Sequence, residues 1–360
     1  MPNYEKENKI DSRDARRGKR IPQAALKLGP RKKPRSTDPL IHHGRHFGRS
    51  IYALCNVPAL ITNGIVRMAS DDPDEDLTAQ ERRERKVFFE LLKSVPGLEE
   101  RLMSAESEDE IHAISTLIQK GASSARSDDT KSLKSAIIDW LMPLGEAPIP
   151  PIARNVKIKR GFNHNVTGAL LCPTGIDWSD HQVQEKLRSG ELLVSGDQWP
   201  IFLYRSYKFD SNNPWKGLLQ SSILVKTYKH IFTSPSSVER EAKATRSRNA
   251  CIHGMTRVTP ASIAYAATQA RFALSSSSVF SRTDTVTDSE RFYNSVLELL
   301  EDPDETKEID SLIAWWNCQV LPNYSTNSRP ISEDSVLAKI KAKRATTKQQ
   351  SLDNASSSMT

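Results

Sequence analysis

The densest run of residues with chemical potential is Arg240 to Arg257, where Arg240, Lys243, Arg246, Arg248, His253 and Arg257 share a polar stretch with Gly254. The run stands directly before a proline-started helix, so its cations and free amides could meet a phosphate. Arg246, Arg248, His253 and Arg257 are therefore the candidate phosphate or nucleic-acid contacts. The plainer reading is a solvated loop whose arginines cap helices and pair with Glu239 and Glu241, because no Gly-rich cradle or Lys-Ser/Thr pair follows. Cys251 and His253 stand two apart, as a nucleophile and base might, but space and not sequence spacing sets such pairs. A buried thiol beside a helix-capping histidine is the preferred account. Zinc would need four ligands in short-spaced pairs, which Cys172, His164 and His181 do not form. His42, His43 and His46 have no partner cysteines nearby and read as a solvated polar stretch. No catalytic residue, metal or cofactor is assigned.

A second feature concerns location more than reaction. Arg16, Arg17, Lys19 and Arg20 form one basic cluster and Arg31, Lys32, Lys33 and Arg35 another, separated by Ile21 to Pro30. That pattern fits a bipartite nuclear-import address, or an arm that lies along nucleic acid. It points to an import receptor as partner, to nonspecific attraction for DNA or RNA, and to the nucleus, with the cytoplasm as the alternative. Of a formal net charge of +7, the stretch Lys9 to Arg49 holds +10, from thirteen Lys/Arg against three Asp. The remainder is close to neutral. A domain that grips DNA across its face usually carries basic charge on the body itself. Met1 to Arg20 is charged and lacks the apolar core of a secretory signal. No run approaches the roughly 18 consecutive apolar residues of a membrane span, so no membrane association is expected. The four cysteines, Cys55, Cys172, Cys251 and Cys318, show no C-x-x-C pairing and suit a reducing compartment.

The elements that must position these residues read as helices. The expected fold is mainly α, a multi-helical globular body with disordered N- and C-terminal tails. Residues 1–48 read as a disordered basic arm, 49–142 as a helical region, 143–160 as a Pro-rich linker, 161–324 as an aromatic-rich helical domain and 325–360 as a disordered tail. The acidic residues Asp71 to Asp76 suit a helix N-terminus, and Val87, Phe88, Leu91 and Leu92 follow at helical spacing. Ser107 and Glu110 fit a capping box before Ile111, Ile114, Leu117 and Ile118. Asp128 or Asp129 is expected to cap a separate helix carrying Leu133, Ile137, Ile138 and Leu141.

Pro143, Pro148, Pro150 and Pro151 mark the linker, and Arg154 to Arg160 reads as a short exposed strand or its continuation. Asn213-Pro214, Ser234-Pro235, Thr259-Pro260 and Asp302-Pro303 are each expected to start a helix, since proline at the first position needs no amide donor. Thr287 and Glu290 fit another capping box. Trp178, Trp199, Phe202, Tyr204, Tyr207, Phe209 and Trp215 could form a base-stacking platform with Arg205 and Lys208 between them. A packed corner of the core is preferred, because the basic residues here are few and face Asp197 and Asp210.

Four strings, Ser195-Gly196-Asp197-Gln198-Trp199-Pro200, Lys229-His230-Ile231-Phe232-Thr233-Ser234-Pro235, His253-Gly254-Met255-Thr256-Arg257 and Phe272-Ala273-Leu274-Ser275-Ser276, carry a resemblance. The chain resembles an expanded family of uncharacterised proteins of mushroom-forming (basidiomycete) fungi over about 150–324. The resemblance implies one domain there and a lineage-restricted accessory or regulatory role, and it brings no catalytic residue or ligand. The function expected is that of a nuclear interaction or regulatory protein with an unknown protein partner. The alternative is an enzyme or ligand-binding protein with a phosphate-recognising pocket around 240–257.

Overall fold

Glycine, not apolar periodicity, builds the first helix contact. Asp38 caps a helix whose first residue is Pro39, its carboxylate accepting from the Leu40 amide at 2.9 Å, and α1 runs Pro39–Ser50. This helix lies on α5 (Glu108–Ala136) with almost no space between the backbones. A Cβ at Gly44 would lie 2.2 Å from the Ile118 carbonyl oxygen, and one at Gly121 would lie 2.2 Å from that of Ile41. Gly48 meets Ala122 in the same way, at 2.8 Å. Residues 39–48, expected to close the disordered arm, are thus helical and packed. The computed structural model describes residues 38–69, 77–143, 146–233, 238, 255, 257–282 and 288–321, and helical positions 336, 339, 340, 343 and 344. The predicted leader and most of the predicted C-terminal tail lie outside them.

Among the described residues the protein is mainly α, with eleven α-helices and no strand. Asp38–Thr360 forms one compact unit. Its first core is enclosed by α1, α2 (Val57–Ala69), α3 (Ala79–Ser94), α4 (Leu98–Met103) and the first half of α5. Phe47, Ile61, Phe88, Leu91 and Ile114 fill it. Thr78 and Glu81 close a capping box at the start of α3, so the acidic stretch before it is not the cap. The second core gathers α6 (Asn165–Leu171), α8 (Ser222–Tyr228), α9 (Pro260–Leu274), α10 (Ser289–Leu300) and α11 (Thr306–Val320), with α7 (His181–Ser189) alongside. Helix α9 is its axis and is buried from Ala261 to Leu274. Its start is as the sequence predicts, with Thr259 as cap and Pro260 at the first position, and the structure adds Ser262, which completes a capping box. No described helix is long and apolar enough to cross a membrane.

Several expectations require correction. Asp128 and Asp129 cap nothing, because α5 continues through them to Ala136. Their carboxylates face α1, Asp128 pairing with Arg45 at 2.8 Å and Asp129 with Arg49 at 2.7 Å. Asn213-Pro214 opens a turn and not a helix. The Asp302-Pro303 start holds, since Asp302 caps a 3-10 turn, Pro303–Glu305, that runs directly into α11. Thr287, expected to share a capping box with Glu290, lies outside the described residues; Glu290 pairs with Arg282, and the Asp288 side chain makes no cap bond at the start of α10. Ser234-Pro235 lies outside the described residues. Residues 143–160 do not separate two helical halves, since α5 contributes Ile114 and Ile118 to one core and Leu133 to the other.

Within that segment Lys157 and Arg160, expected on an exposed strand, are buried at the C-terminal end of α9. Lys157 Nζ donates to the Phe272 carbonyl and lies 3.3 Å from the centroid of the Phe272 ring. Arg160 Nη1 donates to the Ala273 carbonyl at 2.9 Å, and Nη2 reaches the carbonyls of Ala153 and Arg154 at 3.1 Å. The last carbonyls of a helix lack intrahelical partners and carry partial negative charge, so two basic side chains close α9 as donors.

At the centre of the unit Arg49, Asp129 and Tyr265 meet. Arg49 Nε and Nη2 donate to the two Asp129 oxygens at 2.8 and 2.7 Å, and the Tyr265 hydroxyl donates to Oδ2 at 2.6 Å. Burial, reinforced by the Asp129 charge, raises the Tyr265 pKa well above its ordinary value, so the phenol remains a donor.

These buried charges can be tested through stability. Asp129→Ala strands the Arg49 guanidinium and should cost about 3–5 kcal/mol in urea unfolding, whereas Arg49→Met/Asp129→Leu should recover most of that loss. A single variant within about 0.5 kcal/mol of wild type would refute the assignment. Burial, then Arg160 and Lys134, lowers the Lys157 pKa from 10.5 to about 7. Between those values the unfolded chain binds the extra proton, so folding stability should rise with pH from about 7 toward 10.5. Wild type should gain on Lys157→Met across that window, and parallel stability profiles would count against it.

Candidate functional site

The connection after α1 turns back over the body, and its residues Tyr52 to Asn56 face α2, α3 and α10 across a cleft of about 760 Å³. Leu54, Leu60 and Val87 form an apolar floor, and Asn56, Asn63, Gln80 and Asn294 bring amides to the walls. The Tyr52 hydroxyl donates to Asn294 Oδ1 at 3.1 Å, and the Ala53 amide donates to the Tyr293 hydroxyl at the same distance. These two bonds tie the connection to α10. Arg83 Nη1 donates to Glu298 at 3.1 Å and Lys86 Nζ to Glu301 at 2.9 Å, so charged pairs bridge α3 and α10 along the rim. Arg282 pairs with Glu290. A second hollow of about 600 Å³ adjoins the cleft through Arg282, Glu290, Asn294 and Glu298, and at its far side Arg291 pairs with Asp197 at 3.0 Å.

The electrostatics suit recognition more than bond-making. Each of Arg83, Arg282 and Arg291 is matched by a carboxylate. The Cys55 thiol is pushed up to about 12, chiefly by burial and then by Glu84, so it presents no thiolate at neutral pH. Burial likewise raises the Tyr52 pKa. What the cleft offers a partner is amide hydrogen bonding over an apolar floor, with matched charges at the edge.

Of the residues singled out from the sequence, Arg257 is exposed in the turn before α9. Arg246, Arg248, Cys251 and His253 lie outside the described residues, as do Arg16, Arg17, Lys19, Arg20, Arg31, Lys32, Lys33 and Arg35. Of the four phosphate candidates only Arg257 falls among the described residues. His164 is buried and caps α6, its Nδ1 accepting from the Val166 amide at 3.1 Å and its Nε2 lying 2.7 Å from the Pro150 carbonyl oxygen. That arrangement fixes the proton on Nε2 and leaves no lone pair for a metal. Cys172 is buried with its thiol pushed up to about 11 by burial and by Asp177. His42, His43 and His46 sit on α1 and not in a solvated arm.

The aromatic set divides as a packed corner does. Phe202 and Tyr204 are buried, Trp178 covers Gly168, and Trp199 and Trp215 donate to Ser295 at 2.9 Å and Glu305 at 2.8 Å. Tyr207, Arg205 and Lys208 face outward. The cleft itself has no motif to announce it, because Tyr52, Arg83 and Asn294 come from three distant stretches of the chain.

A family model described as a family of unknown function, DUF6698, matches residues 120–321. Comparison with curated proteins and with solved structures finds no match for the chain. The match takes in the second half of the long helix α5, the second core apart from Ala53 and Leu54, and the α10 wall of the cleft, which is more than half of the sequence. By that extent the chain belongs to the DUF6698 family.

Proposed function

We propose that this protein is a nuclear interaction and regulatory protein, in which a basic leader gives import and nonspecific attraction to DNA or RNA while the helical body holds a protein partner. The supporting observation is the separation of charge. Residues 1–37 hold twelve Lys/Arg against four Asp/Glu, a net +8, which leaves −1 for residues 38–360 of the total +7. Arg45 and Arg49, counted with the leader by sequence alone, belong to the body, where Asp128 and Asp129 neutralise them. A nearly neutral body with a strongly basic appendage suits a protein whose polyanion attraction and partner recognition are separate tasks. The cleft between Tyr52 and Asn294 is the proposed partner seat, since amides, an apolar floor and matched rim charges favour a specific polar surface over a reacting substrate. The resemblance to proteins of mushroom-forming fungi fits a lineage-restricted regulatory role.

The test is a fluorescent fusion of the full chain beside one lacking residues 1–37. The shortened fusion should lose nuclear accumulation, and the slope of log affinity for DNA against log salt should fall by several units. A shortened fusion that stays fully nuclear would sink the import assignment.

A further inference from the structure

Backbone strain and unmatched positive charge coincide at one place on the body, the loop from Leu203 to Gln220. Among the described residues four non-glycine positions have positive φ, and Ser206, Tyr207 and Leu219, each at 55°, are in this loop. Such conformations persist only where surroundings hold them, and they gather at binding sites. Here the hold is a pair of backbone bonds, Arg205 N to Gly217 O at 2.8 Å and Gln220 N to Leu203 O at 3.2 Å. Leu219 uses its conformation to reach the core, where it is fully buried. Ser206 and Tyr207 serve no such burial, and their turn instead sets Arg205 and Lys208 beside a hollow of about 580 Å³.

Arg205, Lys208 and Lys216 line that hollow with the Ser206 and Ser211 hydroxyls, and Phe209 forms an apolar side. One carboxylate is present, Asp210, which holds Lys216 Nζ at 3.1 Å. Three cations against one anion leave a local excess of two. Among the described residues neither Arg205 nor Lys208 has a carboxylate within ion-pair distance. The Arg205 guanidinium lies 5.5 Å from the Trp315 ring centroid, a contact that orients it without neutralising it. The contrast with the Tyr52–Asn294 cleft is direct, because there the arginines are matched.

We propose that this hollow is a phosphate site that takes a nucleotide unit, with the phosphate on Arg205, Lys208 and Lys216 and the base against the Phe209 side. A guanidinium fork, two ammonium groups and two hydroxyl donors suit the oxygens of a phosphate. An adjacent aromatic side chain suits a base. The site goes beyond the leader-based reading, because it puts a phosphate contact on the folded body, independent of residues 1–37. The same chemistry could come from a free nucleotide or from a single strand, and the experiment separates them.

The test uses the full chain with Arg16, Arg17, Lys19, Arg20, Arg31, Lys32, Lys33 and Arg35 replaced by glutamine, titrated into a fluorescein-labelled twelve-residue oligothymidylate, with AMP as competitor. Residual binding should survive leader neutralisation and fall at least tenfold on adding Arg205→Gln and Lys208→Gln. Lys93→Gln/Lys120→Gln, the same charge change on exposed lysines elsewhere, should leave it intact. Should Arg205→Gln lower the melting temperature, Lys208→Glu alone, at an exposed position, should give the same loss of affinity. Saturable displacement by AMP marks a free nucleotide as a sufficient ligand, and binding that AMP cannot displace marks the strand. The site is overturned if leader neutralisation alone abolishes binding, an outcome that leaves the leader's role standing. It is equally overturned if the residual binding ignores Arg205 and Lys208. Binding unchanged by leader neutralisation but lost with Arg205 and Lys208 supports the site and refutes the leader's role in nucleic-acid attraction.

Discussion

Asp129 holds a carboxylate inside the body, and everything around it must solve the problem that this creates. A charge removed from water is costly unless its oxygens find donors and an opposite charge. Arg49 meets both oxygens and Tyr265 meets one of them. The three residues belong to α1, α5 and α9, so the charge is satisfied only when three helices far apart in sequence are in register together. A buried pair of this kind adds little net stability over an apolar substitute. Its effect is on arrangement: a one-turn slide of α1 along α5 would move Arg49 about 5.4 Å and leave two buried charges unpaired.

The glycines of α1 and α5 are what make that register reachable. Gly44, Gly48 and Gly121 let the two backbones approach until a side chain would collide with a carbonyl or a methyl group. Two helices at ordinary separation would set the guanidinium and the carboxylate farther apart. Close approach at the middle of α5 leaves its second half to face the second core, where Thr130 donates to Gln269 of α9 at 3.0 Å. The long helix is thereby shared between cores, and the proline-rich segment that follows closes α9 with Lys157 and Arg160.

What the sequence makes visible and what it hides divide along one physical line. Signals complete within a few residues are legible: Thr259 and Pro260 at the start of α9, the Ser107 cap of α5, and the Val87, Phe88 and Leu91 stripe of α3. Features whose meaning depends on a distant partner mislead. Helix α1 looks like basic arm because glycines make its contact with α5 and leave only Leu40 and Phe47 as buried apolar residues. Asp129 looks like a cap because an acid before an apolar stripe is the usual local sign, while its true partner is 80 residues upstream. Lys157 and Arg160 look exposed because cations usually are, and the carbonyls they close lie 115 and 113 residues onward. The cleft is invisible for the same reason, as its walls come together only after folding.

The charge distribution then limits how this body can meet a polyanion. At physiological salt, fields between exposed charges fade over about 8 Å, so under the proposed function a leader at +8 would act on a polyanion over a short range only. The body, at −1 in total, neither attracts nor repels strongly at range. Its arginines at the cleft and the adjoining hollow are matched by Glu298, Glu290 and Asp197, which removes their pull while keeping their geometry. Any discrimination among polyanions on the body must therefore arise at contact distance, where a guanidinium fork and a fixed backbone turn can tell one phosphate arrangement from another. On that reasoning the strained turn at Ser206 and Tyr207 matters through the position it gives Arg205 and Lys208, and the number of positive charges matters less.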